Sequence, residues 1–288
     1  MKKILIGFIG LLIIGALVYS LYRTQGDPYE KTKSIDAAGI EQIEVENDSW
    51  NLEVKAAKSE KITVTAKGKQ KNKETEPVTV EQQGDKLVVK QTKESGILSG
   101  ISIGKNGKVT IEIPENRLKN IVVKSSDGDI ELEKIAADKL AFSNGSGNLK
   151  LKGLSVGEGN IDLKDGQVKL ENSTFESLKS TAGSGDTVIT NVQIPKMDIN
   201  STDGTVSIED ATEGELLNVQ SKSGDITVSY KEAPVSLRLV ANSDTSDLEI
   251  GLEHMKKTKE TENTVEGKIG DGANQAKLSS KDGKVSVK

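Results

Sequence analysis

The chain has no cysteine, one histidine (His254), three arginines (Arg23, Arg117 and Arg238), five prolines and eight aromatic residues among 288. Each scarcity removes a class of chemistry. Without cysteine there is no disulfide scaffold, no Cys/His zinc centre and no thiolate nucleophile. A single histidine leaves room for one Ser–His pairing at most. So little arginine argues against phosphate and nucleic-acid recognition, which favour its forked donors and basic patches.

Charge is distributed unevenly. Residues 1–23 carry Lys2, Lys3 and Arg23 and no acid, leaving 36 basic and 44 acidic side chains on residues 24–288. A moderately acidic body is not drawn to nucleic acid or to anionic lipid headgroups, and most of these charges keep a β-rich surface soluble. Ile4 to Tyr22 is an uncharged run of 19 residues. As a helix it would be about 28 Å long, close to the thickness of a bilayer core. Lys2 and Lys3 precede it, and Tyr19, Tyr22 and Tyr29 fall near its far end. That pattern predicts a single-pass anchor over residues 1–23, with the N-terminus inside and the body outside the cell membrane. A cleaved signal peptide is the alternative, although no Ala-x-Ala site follows the run. No cysteine follows it either, which excludes a lipoprotein. An exported, cysteine-free body fits a Gram-positive cell surface.

What the body has in abundance is glycine, 28 residues in all, and much of it keeps time. Short turns place Gly128, Gly147, Gly166, Gly185 and Gly204 in steps of 19 residues. Gly224 follows after 20, the turn Thr245-Ser246-Asp247 after 22 more, and Gly283 stands 37 beyond. Apolar residues hold phase with this ruler. Two positions after the turn stand Ile130, Leu149, Val168, Val206, Ile226, Leu248 and Val285, with Thr187 the exception. Four positions after stand Leu132, Leu151, Leu170, Ile189, Ile208, Val228, Ile250 and Val287. Such alternation is that of a strand. Five and seven positions before the turn a second alternating pair appears, including Ile121/Val123 and Leu140/Phe142. In the earlier copies a third follows, as in Ile135/Ala137.

A 19-residue unit cannot bury its own apolar face; stacked copies do. The prediction is all-β: a parallel β-helix-like β-solenoid of about eight rungs over residues 116–288. The turn glycines form a structural ladder, with neighbouring Asp, Asn and Ser bonding the turn's own backbone. Residues 35–115 alternate as strands but lie off the ruler, and are read as a β-rich N-terminal cap over an otherwise open sheet edge. Residues 24–34 read as a polar stalk. The charged stretch 253–266 reads as a loop inserted in the penultimate rung. Trp50, Phe142 and Phe175 read as core, and His254 as a solvated loop residue.

The run KVTIEIPENRLKNIVVKSSDGDIELEKI, Lys108 to Ile135, resembles the bacterial "putative adhesin" family of β-strand repeats of unknown function. GKIGDGANQAKLSSKDGKVSVK, Gly267 to Lys288, resembles its closing unit. With an anchor, no cysteine and this length, the chain looks like the LiaG-type proteins of Firmicute cell-envelope stress operons. The resemblance implies a surface-exposed repeat domain and supplies no catalytic residues.

Three chemistries remain to be weighed. Stacked Asp-Gly turns could hold calcium, but each corner has one glycine, and Asn148, Gln167, Thr205 and Lys284 interrupt the acids. A glycan-active enzyme needs a clustered acid and base, and carboxylates are too common here to mark one. The lysine-rich stretch 256–266 could dock an acidic partner. The reading that results is a membrane-anchored, non-enzymatic module without cofactor, metal or nucleic-acid partner. It would bind or assist at the cell envelope through a cell-wall polymer or another membrane protein. A surface adhesin is the first alternative and a glycan-active β-helix enzyme the second.

Overall fold

In the computed structural model, which describes residues 26–70, 74–92, 107–245 and 247–288, every helix or strand is a strand. The expected anchor, residues 1–23, lies outside the described residues. The N-terminal part holds β1 (Asp27–Asp36), β2 (Gln42–Asn47), β3 (Asn51–Ala57), β4 (Lys61–Gln70), β5 (Val78–Gln83), β6 (Lys86–Gln91) and β7 (Gly107–Pro114). The middle holds pairs: β8 (Arg117–Ser125) with β9 (Ile130–Glu133), β10 (Ala136–Asn144) with β11 (Leu149–Lys152), and β12 (Ser155–Asp165) with β13 (Val168–Glu171). It continues with β14 (Thr174–Ser184) and β15 (Thr187–Thr190), β16 (Lys196–Asp203) and β17 (Val206–Ala211), and β18 (Leu216–Ser223) and β19 (Ile226–Tyr230). The C-terminal part holds β20 (Leu237–Ser243), β21 (Leu248–Ile250), β22 (Lys256–Glu260), β23 (Thr264–Lys268), β24 (Asn274–Asp282) and β25 (Val285–Val287).

These strands form two mostly parallel sheets of 12 and 13 strands, and each middle rung gives one strand to each sheet. The short strands β9 to β19 stack in the first sheet and the long strands β8 to β18 in the second. Register follows the 19-residue ruler: Leu140 lies between Ile121 and Gly159, and Leu151 between Leu132 and Leu170. The apolar columns read from the sequence are buried, except at Leu248 and Ile250 on β21, which are half-buried. The expected third strand is not separate. Ala136 and Ala137 open β10, and Ser155 and Val156 open β12, so it is the first turn of the long strand in the second sheet.

The turn glycines do more than bend the chain. Gly128, Gly147, Gly166, Gly185, Gly204 and Gly224 all have φ between +98° and +138°. A Cβ placed on Gly147 or Gly166 would lie 2.3 or 2.2 Å from the carbonyl oxygen of the glycine one rung before. Gly283 lacks the positive φ, yet its Cβ would meet Gly224 O at 2.3 Å. Close approach between rungs therefore selects glycine even where the dihedral does not. A second left-handed column went unread in the sequence: Lys134, Gly153, Asn172, Asn191 and Asp210, again in steps of 19, at φ between +51° and +64°. Here the backbone N–H donates to the next rung, as from Asn172 to Thr190 O at 3.1 Å. The space above the chain is open enough for a side chain, so asparagine and aspartate, which tolerate this region, are accepted beside glycine.

The residue after the turn glycine was expected to bond its own turn. Instead it bonds the next rung. Asp129 Oδ1 accepts from Asn148 N at 3.0 Å, Asn148 Oδ1 from Gln167 N at 3.1 Å, and Asp225 Oδ1 from Lys284 N at 2.8 Å. Parallel stacking points that backbone N–H along the stack, and the side chain one rung earlier is the acceptor within reach.

The ends depart from the sequential picture. β24 lies between β18 and β20, and β25 between β19 and β21. The Gly283 rung therefore sits inside the rung of Leu248, not beyond it. The N-terminal end is built the same way: β2 lies between β8 and β6, and β3 between β9 and β7. Residues 35–115 are thus not wholly off the ruler. Ile43, Val45, Leu52 and Val54 continue the columns of Ile121, Val123, Ile130 and Leu132, with Ser49-Trp50 standing where a turn glycine would be. Trp50 is buried, its ring against Gly107, where a Cβ would lie 2.5 Å from it.

Two local expectations change as well. Residues 27–34 of the expected stalk belong to β1, which pairs antiparallel with β4. The inward row of β1 carries Lys31, which meets Glu76, and Lys33, which donates to Val80 O at 2.5 Å. These lysines span from one sheet to the other and put charge on an edge that would otherwise invite pairing. The stretch 253–266, expected as loop, contains β22 and most of β23, a hairpin attached antiparallel to β20. Its outer strand, KKTKE, is exposed throughout, which is how lysine comes to sit on a strand lacking an apolar pattern.

Candidate functional site

The outward side chains of the second sheet form a concavity. A groove of about 520 Å³ crosses β8, β10, β12, β14, β16 and β18. It follows the stack, perpendicular to the strands, and five inter-strand steps of ~4.8 Å make it about 24 Å long. The alternation that buries Ile121, Leu140, Leu178 and Met197 turns their neighbours outward into the groove. Short side chains at Val122, Ala141 and Ser177 leave its floor low, while Lys139, Lys179 and Lys196 raise its sides. Gly159 supports the floor from within: a Cβ there would lie 2.7 Å from Phe175 Cε1, so the buried ring takes the volume that leucine takes in adjacent rungs.

Charge in the groove is mostly spent internally. Lys139 pairs with Glu158 at 3.0 Å and Lys196 with Glu215 at 3.4 Å. Asp198 Oδ1 accepts from Asn218 Nδ2 at 2.7 Å and from Asn200 Nδ2 at 3.4 Å. Between these sets lie Asn160 and Ser177 on neighbouring strands, both in the groove lining. The two carboxylates in the lining are thus each held by a partner, an arrangement suited to recognition more than to proton transfer.

At its β18 end the groove meets a narrow crevice that shares Met197 and Leu216 with it and runs inward past Ile208, Leu217 and Tyr230. Its free volume, about 20 Å³, is that of a single water. Burial raises the Tyr230 hydroxyl above its usual range, and Glu213 adds to the effect. Tyr230, which the sequence places at a strand end, packs half-buried against the core.

The residues singled out in the sequence lie elsewhere. The turn ladder, Gly128 through Gly283, forms one corner of the stack and lines neither groove nor crevice. Along that corner Asp127, Asp165, Asp203 and Asp282 alternate, in spatial order, with Ser146, Ser184 and Ser223. Ser146 donates to Asp127. Carboxylates in this column stand two rungs apart, ~9.6 Å, too far to share one calcium ion. No group of three His, Asp or Glu side chains is placed to hold a metal among the described residues. His254 sits in an exposed turn at φ +59°. Arg117 pairs with Asp138, away from Arg238 on β20. At the N-terminal end, hydrogen bonds from Lys86 and Lys124 hold the Glu44 carboxyl below the usual carboxylate range, and Lys108 does the same for Glu53.

The groove escaped sequence reading because outward positions carry no packing constraint. The available signal was slight: short residues at single places in the rows eight and six positions before the turns, Ser177 and Ala141, among longer ones such as Lys139, Glu158 and Lys179.

Two mostly parallel sheets, ladders of turn glycine and one long groove of mixed lining define a β-repeat domain. The chain belongs to the Toastrack DUF4097 family, whose model matches residues 40–288. Among solved structures it is similar to a "putative adhesin" from Bacteroides fragilis, with 15% identity, 90% of this chain and 97% of that chain covered, and a TM-score of 0.56. A "putative lipid binding protein" from Parabacteroides distasonis aligns over 91% of this chain and 97% of that chain at 11% identity, with a TM-score of 0.47. A "putative adhesin" from Parabacteroides merdae aligns over 91% and 98% at 12% identity, with a TM-score of 0.44. The Bacteroides likeness is one of fold. No curated protein matches the chain.

Proposed function

We propose that this protein is a non-catalytic binding module, held at the outer side of the cytoplasmic membrane by its N-terminal apolar segment. It binds an extended polymer of the cell envelope, as an accessory in envelope maintenance or stress. The observation that carries this reading is the groove across β8 to β18. It is long and shallow, it runs along the stack, and its carboxylates are tied up in pairs. A compact substrate would leave most of it empty, whereas a linear chain would follow its length. The apolar run Ile4–Tyr22 supports the membrane assignment, because it is long enough to cross a bilayer as a helix and carries no charge.

Co-sedimentation of residues 24–288 with isolated cell-wall sacculi tests the binding role. Saturable binding that weakens when groove side chains are truncated is expected. Absence of binding to intact sacculi overturns the reading and redirects the search to a protein partner in the membrane.

A further inference from the structure

We infer that the groove recognises a neutral, hydroxyl-rich glycan chain and not a polyanion; this rests on the binding role proposed above and specifies its ligand. The argument is one of charge. Three lysines and two carboxylates line the groove, and Glu215 stands at its rim against Lys196. The formal sum is therefore zero, within a chain whose net charge is −5. Lys139 and Lys196 already have carboxylate partners, and Asp198 already has two amides. Beyond the single Lys179, a polyanion would have to displace those partners to gain ion pairs, and would approach an acidic protein. A neutral chain leaves the pairs intact.

The remaining lining is mixed, more apolar than polar, and a few of its side chains fit hydroxyls. Asn120, Asn160 and Ser177 both donate and accept, as sugar hydroxyls do. Asn160 and Lys179 are direct neighbours on adjacent strands, as are Glu158 and Ser177. Polar groups thus repeat at ~4.8 Å along the groove, while Val122, Ala141 and the exposed Leu216 offer apolar area for C–H faces. The lining has no aromatic ring, so affinity per sugar is low and grows with chain length.

The test measures binding of residues 24–288 to an N-acetylglucosamine oligomer long enough to span the groove, and in parallel to linear polyphosphate, at low and high salt. Intact sacculi and sacculi stripped of anionic polymer form a second pair. The oligomer is expected to bind with less than about threefold change across the salt series, because screening acts on charges and not on neutral contacts. Combined Asn160→Ala and Ser177→Ala substitutions should weaken it about tenfold, the loss of two modest hydrogen bonds. Lys179→Gln, which removes a charge from the side of the groove but keeps a donor and an acceptor there, should weaken oligomer binding about twofold and leave its salt dependence as small as before. All three positions face outward, so an unchanged melting temperature and circular dichroism spectrum confirm that the variants fold. Binding to polyphosphate and to unstripped sacculi only, lost at high salt and in Lys179→Gln, overturns the neutral-glycan inference while leaving the envelope-binding role standing. Oligomer binding without sacculus binding does the reverse. Binding to nothing removes both.

Discussion

The middle of the stack and its two ends are made of the same columns of side chains but are joined differently. From Arg117 to Tyr230 each rung rests on the one before it in sequence, and neighbours in space are 19 or 20 residues apart. At the ends the chain doubles back. β2 and β3 are clasped between β6/β7 and β8/β9, and β24 and β25 between β18/β19 and β20/β21. A stack built only from sequential rungs would end in an open, peelable edge, as solenoids without caps do. Here the last rung in sequence has neighbours on both sides. Three of the four outermost positions go to antiparallel additions, β1 (with β4) and β5 at one end and the β22–β23 hairpin at the other; the fourth is held by β21, parallel to β25. Local contact builds the middle, and contact across tens of residues secures the ends.

The largest test of this contrast uses glycine. Gly166 combines φ +119° with a would-be Cβ 2.2 Å from Gly147 O, so Gly166→Ala must push two rungs apart. A loss of about 3 kcal/mol or more is expected, since strained dihedral and backbone clash add. Gly39, near the N-terminal end, has φ +81° but nothing within 4 Å of its Cβ position, so Gly39→Ala should cost about 1 kcal/mol. Urea denaturation of the two variants reads the difference. Equal losses would mean that the dihedral alone matters and that close stacking does not.

A second comparison concerns the clasped rung. Leu278 pairs in register with Val219 on one side and Ala241 on the other, and is as buried as Ile199 in the middle. Leu278→Ala should cost about 2–5 kcal/mol, like Ile199→Ala. If the Gly283 rung lay at the end of the stack, as the order of turns in the sequence suggests, Leu278 would have one neighbour and a clearly smaller penalty. Amide exchange in β24 as slow as in β16 would agree with the clasp; fraying of β24 at the rate of β22 would contradict it.

How much of this was legible beforehand follows from the same contrast. The middle rungs repeat locally, so one ruler aligned Ile130 with Leu149 and Val168, and the parallel register came with it. The turn column was visible because close approach accepts only glycine. The second left-handed column was not, because Lys134, Gly153, Asn172, Asn191 and Asp210 share a dihedral and not a residue type. At the ends, the columns of Ile43 and Val54 were hidden by Ser49-Trp50 in place of a glycine turn. The position of the Gly283 rung was beyond reading, since Val285 presents the same apolar face to either neighbour. The groove was least legible of all: it depends on outward residues whose identity packing does not dictate.

The smallest effect expected runs opposite in sign, and it falls in the middle rungs, where regularity is greatest. The Gly185 rung breaks two apolar columns at once. Ser180 stands where its neighbours in register are Ile161 and Ile199, and Thr187 where they are Val168 and Val206. Both are buried, and neither hydroxyl finds a hydrogen-bond partner. A buried unpaired hydroxyl costs about 1–3 kcal/mol relative to one that is bonded, and an apolar group of the same shape avoids that cost. Thr187→Val changes shape least, so it should stabilise the protein by about 1 kcal/mol, read as a higher denaturation midpoint at unchanged slope. A destabilised Thr187→Val variant would show that the hydroxyl is bonded in solution, and would make this rung a polar station inside the core. A stabilised one would show that the stack tolerates an imperfect rung in its middle, because each rung is supported by a complete neighbour on either side.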